Sequence, residues 1–91
     1  VGETNTFEVA QNYPNPFNPA TAISYYVPTT GKVMLQVFDM LGKEVATLVN
    51  HRKDPGTYAV SFDASQIASV IYVYRLQSGG FVETKKMVVM K

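Results

Sequence analysis

Few side chains in this sequence are suited to making or breaking bonds. His51 is its single histidine, and no cysteine exists to serve as a nucleophile or thiolate ligand. A shared metal or a nucleophile–base pair therefore has no second member. His51 stands beside Arg52 and Lys53 and reads as part of a solvated polar loop. Asp39, Asp54 and Asp63 each fall in turn-like sequence, where aspartate bonds nearby backbone amides. Glu44 and Glu83 flank expected strands and read as solvated. Acid–base chemistry needs two carboxylates placed around one bond, and no such pair is visible in the sequence. An oxygen-ligated calcium ion held between loops is the one metal site these residue types allow. The expectation is a non-catalytic chain with no metal and no cofactor.

Two other groups are better suited to binding. The first is Asn12-Tyr13-Pro14-Asn15-Pro16-Phe17-Asn18-Pro19. Each proline removes an amide donor and restricts its predecessor, so no helix runs through this stretch. It reads as a fixed extended loop with Phe17 as its one large apolar anchor. Asn15, Pro16, Phe17, Asn18 and Pro19 can form a recognition surface, or a rigid cover in which Phe17 plugs one end of the fold. A preorganised plug can do both, because rigidity lowers the ordering cost of binding.

The second group lies at the far end. Lys85, Lys86 and Lys91 interrupt the apolar run Met87-Val88-Val89-Met90. A partner can capture such a strand by strand addition or charge pairing. Lysines on an ordinary edge strand also discourage sheet-to-sheet aggregation. The tyrosines raise a third possibility. Tyr13, Tyr25, Tyr26, Tyr58, Tyr72 and Tyr74 would stack on sugar rings if several lay coplanar on one exposed face. Tyr58, Tyr72 and Tyr74 alternate as core residues should, which leaves Tyr26 as the best exposed candidate.

The elements that must position these groups are strands. Apolar residues recur every second position, not every 3.6. Ile23, Tyr25 and Val27 alternate with Ser24 and Tyr26. Val33, Leu35 and Val37 share one face, as do Tyr58, Val60 and Phe62. Tyr72, Tyr74 and Leu76 oppose Ile71, Val73 and Arg75, and Met87 and Val89 oppose Val88 and Met90. Turn chemistry separates these runs at Thr29-Thr30-Gly31-Lys32, Asp39-Met40-Leu41-Gly42-Lys43, Lys53-Asp54-Pro55-Gly56 and Ser78-Gly79-Gly80. The spacing predicts an all-β antiparallel β-sandwich of about seven strands. Asp63-Ala64-Ser65-Gln66-Ile67-Ala68 reads as one helical turn crossing between sheets, with Ile67 facing in. Residues 1–5, Val1 to Asn5, read as a frayed linker remnant, and 6–91 as one domain.

Ninety-one residues suffice for one domain with a modest core. The net charge of +1 is too small to argue for a nucleic-acid partner. No apolar run approaches the roughly 20 residues of a membrane helix, so the chain is not expected to span a membrane. The exposed edges of a sandwich permit a weak homo-oligomer.

The order of these pieces carries a resemblance. Tyr13-Pro14-Asn15-Pro16-Phe17-Asn18-Pro19, Ile23-Ser24-Tyr25 and Val37-Phe38-Asp39-Met40-Leu41-Gly42-Lys43-Glu44-Val45 come first. Gly56-Thr57-Tyr58, Phe62-Asp63-Ala64-Ser65, Tyr72-Val73-Tyr74-Arg75-Leu76 and Thr84-Lys85-Lys86-Met87-Val88 follow. Together the chain resembles the C-terminal sorting domain of the type IX secretion system, the Por secretion tail family, from about Tyr13 to Lys91. One departure is Val70, where the family usually has glycine before its Ile-Tyr or Val-Tyr pair. The resemblance implies an immunoglobulin-like module at the end of a secreted protein, behind an N-terminal cargo domain. It implies an address read by outer-membrane proteins of the secretion system, with the cargo released or attached at the cell surface. A carbohydrate-binding or spacer module of an extracellular enzyme is the alternative reading of the same residues.

Overall fold

Alternation of apolar and polar residues gives each strand one face that must leave water, and two sheets bury those faces against each other. The computed structural model describes residues 6–17, 19–65 and 71–89. Its strands are β1 (Glu8–Val9), β2 (Ala20–Val27), β3 (Gly31–Asp39), β4 (Glu44–Lys53), β5 (Gly56–Asp63), β6 (Ile71–Ser78) and β7 (Phe81–Val88). They form a three-stranded sheet in the order β1-β2-β5 and a four-stranded sheet in the order β4-β3-β6-β7. All strand pairs are antiparallel. The protein is an antiparallel β-sandwich, as the periodicity predicts, of the immunoglobulin-like kind that the resemblance implies.

The fourth strand marks the variant of that fold. In antibody constant-type sandwiches it pairs in the first sheet, whereas here β4 pairs with β3. The turn after β3 explains the choice. The Asp39 carboxylate accepts the amides of Leu41 (2.9 Å) and Lys43 (3.0 Å), and Gly42 takes φ +87°. That geometry reverses the chain tightly and folds β4 back on β3. The Lys53-Asp54-Pro55-Gly56 turn then carries the chain from one sheet to the other, rather than joining a hairpin. Gly79, with φ +57°, performs the β6–β7 reversal, leaving Ser78 paired with Phe81.

The core is what the two-residue period places inside. Ile23, Val27, Val33, Leu35, Val37, Tyr74, Leu76 and Met87 are fully buried, with Phe17, Phe62 and Tyr72 beside them. Phe62 lies between Phe17 and Tyr72, edge-on to both at centroid distances of 6.3 and 6.2 Å. These rings gather at one end of the sandwich, where β5 and β7 finish and β6 begins.

Two expectations are corrected. His51, Arg52 and Lys53 are not in a loop but form the end of β4, with His51 exposed and paired with Val33. Glu83 is not at a strand flank but inside β7. The expected linker at Val1 to Asn5 lies outside the described residues, as do Ile67 and Val70. Of the expected helical turn, Asp63 is seen capping Ser65, whose amide it accepts at 2.8 Å.

Burial separates two leucines of the same hairpin. Leu35 has no exposed surface, and Leu41 keeps 94% of its own. Leu35→Ala should lower unfolding stability by about 2–5 kcal/mol, while Leu41→Ala should stay within about 0.5 kcal/mol. Urea unfolding of both variants checks this, and equal losses would contradict the core assignment.

Candidate functional site

The proline-rich loop and the last strand, nominated separately by residue type, meet at one edge of the sandwich. β1 pairs with β2, but the chain that follows reaches across to the other sheet. Phe17 donates its amide to the Val88 carbonyl at 3.0 Å and forms a parallel bridge with Val89. The Asn15 side chain accepts the Val88 amide at 2.9 Å. Gln11 donates to the Lys86 carbonyl at 2.8 Å, and Glu83 accepts the Val9 amide at 3.2 Å. The segment therefore closes the seam between the two sheets.

A buried polar network fixes the seam from within. The Tyr74 hydroxyl, on β6, donates to the Ala10 carbonyl (2.7 Å) and accepts the Asn12 amide (2.8 Å). Asn12 Nδ2 bonds Thr21 Oγ1 (3.0 Å) and the Pro14 carbonyl (3.1 Å), and the Thr21 hydroxyl donates to that same carbonyl. Prolines leave the loop few amides of its own, so Asn12 and Thr21 supply the donors that hold it. The Tyr13–Pro14 and Asn15–Pro16 peptides are both cis.

The named residues divide by exposure. Phe17 is buried at 1%, and Asn15, Pro16 and Pro19 are exposed. Asn18 and Lys91 lie outside the described residues. Lys85 points to the same side of β7 as Met87, with its ammonium 3.9 Å from the Glu83 carboxylate. That pair is part-exposed and worth about 0–1 kcal/mol at most. Lys86 projects to the opposite face and is exposed. The two lysines thus flank the strand and do not form one cluster. Residues 86 and 88 have edge-facing backbone groups occupied by Gln11, Asn15 and Phe17. Strand addition has no room there, whereas charge pairing does.

The tyrosines do not build a stacking platform. Tyr25, Tyr72 and Tyr74 are buried, and Tyr26 and Tyr58 are half-buried. Tyr58 stacks on Tyr25 at 5.5 Å, and only Tyr13 is largely exposed, at 81%. Tyr26 is thus less open than expected. Among the described residues no three of histidine, aspartate and glutamate gather as a metal site, and no helix is long and apolar enough to cross a membrane.

Burial pushes the Tyr74 hydroxyl up to about 12, with the bond from Asn12 opposing and the nearby Glu83 charge adding to the rise. Burial, and secondarily Tyr58, also raises Tyr25. At Asp63 the bonds from Ser65 hold the carboxyl below its usual value.

The roles of Gln11, Asn12, Tyr74 and Glu83 in the seam were not legible as site residues. Their partners lie 62 to 75 positions away along the chain.

Fold and seam together define a small antiparallel β-sandwich module whose most elaborate feature, among the described residues, is its surface seam. The family model described as "Secretion system C-terminal sorting domain" matches residues 11–90. The chain belongs to this family, the C-terminal sorting domains of the type IX secretion system. Its role is that of a sorting domain, carried by a cargo protein bound for the cell surface or the exterior. No curated protein and no solved structure matches the chain.

The network predicts opposite outcomes for two neighbouring tyrosines. Tyr74→Phe removes two seam hydrogen bonds and should cost about 1–3 kcal/mol. The buried Tyr72 hydroxyl has no partner, so Tyr72→Phe should be neutral or slightly stabilising. The Tyr74 and Tyr25 shifts are both upward from about 10. Above pH 10 the unfolded chain therefore loses protons that the folded chain keeps, and stability falls as pH rises towards 12. Tyr74→Phe should flatten that fall. Denaturant titrations at pH 7 and pH 11 check both points, and a greater loss in Tyr72→Phe would sink them.

Proposed function

We propose that the domain is a non-catalytic address, residues 6–91 behind a linker at 1–5, that docks its cargo on outer-membrane proteins of the type IX translocon. The observation that carries this reading is the seam. Asn15 and Phe17 are tied to Val88, and Gln11 to Lys86, so the loop and the last strand present one rigid surface. Asn15, Pro16 and Pro19 form its neutral, polar part, and Asn18 is assigned to the same loop by sequence. Lys85 and Lys86 supply positive charge on both sides of β7, with Lys91 continuing it in sequence. Phe17 acts from beneath by holding the loop to the core. Rigid presentation lowers the ordering cost of docking, and lysine charge, above all that of the exposed Lys86, speeds encounter with an acidic partner surface. Catalysis has no assigned residues: His51 lies at the end of β4, Asp39 and Asp63 bond turn amides, and Glu83 holds the Val9 amide.

The test is export of a fluorescent protein fused to this domain in a host that carries the secretion system. Deleting Lys85 to Lys91 should abolish export. That deletion also removes the buried Met87 and Val89, so a folded variant is the sharper probe. Lys85→Gln with Lys86→Glu, which adds no second carboxylate beside Glu83, should leave the unfolding midpoint nearly unchanged and reduce export at least tenfold. Undiminished export by the folded, doubly substituted fusion would refute docking through these lysines. Retardation of the free domain in polysaccharide gels, weakened by Tyr26→Ala, would favour a carbohydrate module instead.

A further inference from the structure

A sandwich of two open sheets has four edge strands, and exposed edges recruit other strands unless something blocks them. Three edges here are blocked. β1 is two residues long, and Glu83 takes the Val9 amide. β7 is occupied at residues 86 and 88 by the proline-rich segment. β4 carries two register shifts against β3, at Leu35/Gln36 and Val37/Phe38, and ends in His51-Arg52-Lys53. Bulges and charges of this kind disfavour pairing with another strand.

Among the described residues β5 has none of these devices. It pairs with β2 over eight consecutive residues without a register shift. Between Gly56 and Phe62 it contains no charge and no proline. Its hydrogen-bonding direction follows from the neighbouring bonds. Ala64 donates to the Pro19 carbonyl at 2.8 Å, and Ala22 exchanges both bonds with Tyr13 on the far side of β2. Alternation then points the even residues of β5 at β2 and the backbone groups of Thr57, Ala59 and Ser61 outward. The side chains of these three residues are small and exposed.

We propose that the β5 edge is an interface for a second copy of this chain, joined strand to strand about a two-fold axis at Ala59. In that register Ala59 faces its twin and Thr57 faces Ser61 of the other copy. The three pairs exchange about six backbone hydrogen bonds, and Tyr58 falls opposite Val60. The end of β5 that follows Arg52, Lys53 and Asp54 carries a net positive charge and meets the Asp63 end of its partner, with Lys53 itself held over Tyr58. A heterologous strand has no such built-in match. The β5 edge lies across the sandwich from the β1–β7 seam, so pairing leaves both docking surfaces free. The inference is independent of the export reading.

Sedimentation equilibrium of this chain tests it, with Ala59→Lys, Ala59→Pro and, as a control on the β4 edge, Asn50→Lys. The amide of Ala59 faces outward, so proline there removes no bond to β2. The wild type should form a dimer with a dissociation constant below about 1 mM. Both Ala59 variants should weaken it at least tenfold while keeping the β-sheet circular dichroism signal, and Asn50→Lys should leave it unchanged. Thr57, Ala59 and Ser61 amides should gain hydrogen-exchange protection as concentration rises. A chain that stays monomeric at about 1 mM, or a dimer that survives in both folded Ala59 variants, overturns the proposal. So does equal weakening by Asn50→Lys. If added extended peptide, but not added chain, protects the β5 amides, the edge belongs to a foreign strand and the proposal also fails.

Discussion

The hydroxyl of Tyr74 ties the two sheets together by polar bonds from inside the core. It sits on the four-stranded sheet with no exposed surface and bonds both Ala10 and Asn12, which belong to the segment following β1. Hydrophobic burial holds the sheets face to face but has no preferred direction. Hydrogen bonds in a dry interior do, because a missed partner costs about 1–3 kcal/mol. Asn12, Thr21 and Pro14 extend the constraint until the path of the loop is determined at several atoms.

Function follows from that constraint. A sorting domain is read by its surface, and a surface is reproducible only if its backbone is held. The exposed Asn15 uses its side chain on the Val88 amide, so the loop tip and the last strand keep one spacing. Phe17 contributes from the other side by packing on Phe62. The aromatic core is thus linked to the last strand through two bonds to the Val88 backbone.

Much of the sandwich is legible in the sequence because alternation survives wherever the ladder is regular. Tyr72, Tyr74 and Leu76 went inward, and Ile71, Val73 and Arg75 stayed partly exposed. β4 was not legible, for a physical reason. Its two register shifts slip the phase of Val45, Leu48 and Val49, so no two-residue period appears and its polar end reads as a loop. β1 is too short to show a period. The loop and the lysines stand out by residue type, yet their meeting leaves no local trace. It depends on the side chains of Gln11 and Asn15 bonding main-chain groups more than seventy residues away. The opposed directions of Lys85 and Lys86 follow from strand parity once β7 is placed.

The distance along the chain between the two halves of the seam has a temporal meaning. Val9 waits for Glu83, separated by 74 positions, and Gln11 waits for Lys86, separated by 75. Contacts so remote in sequence form late and slowly. A ribosome that stalls before β7 leaves a chain missing Met87 and Val89 from its interior and Val88 from its loop. Such a fragment has neither a sealed interior nor a joined loop and last strand, so closure of the seam requires that translation has passed through β7.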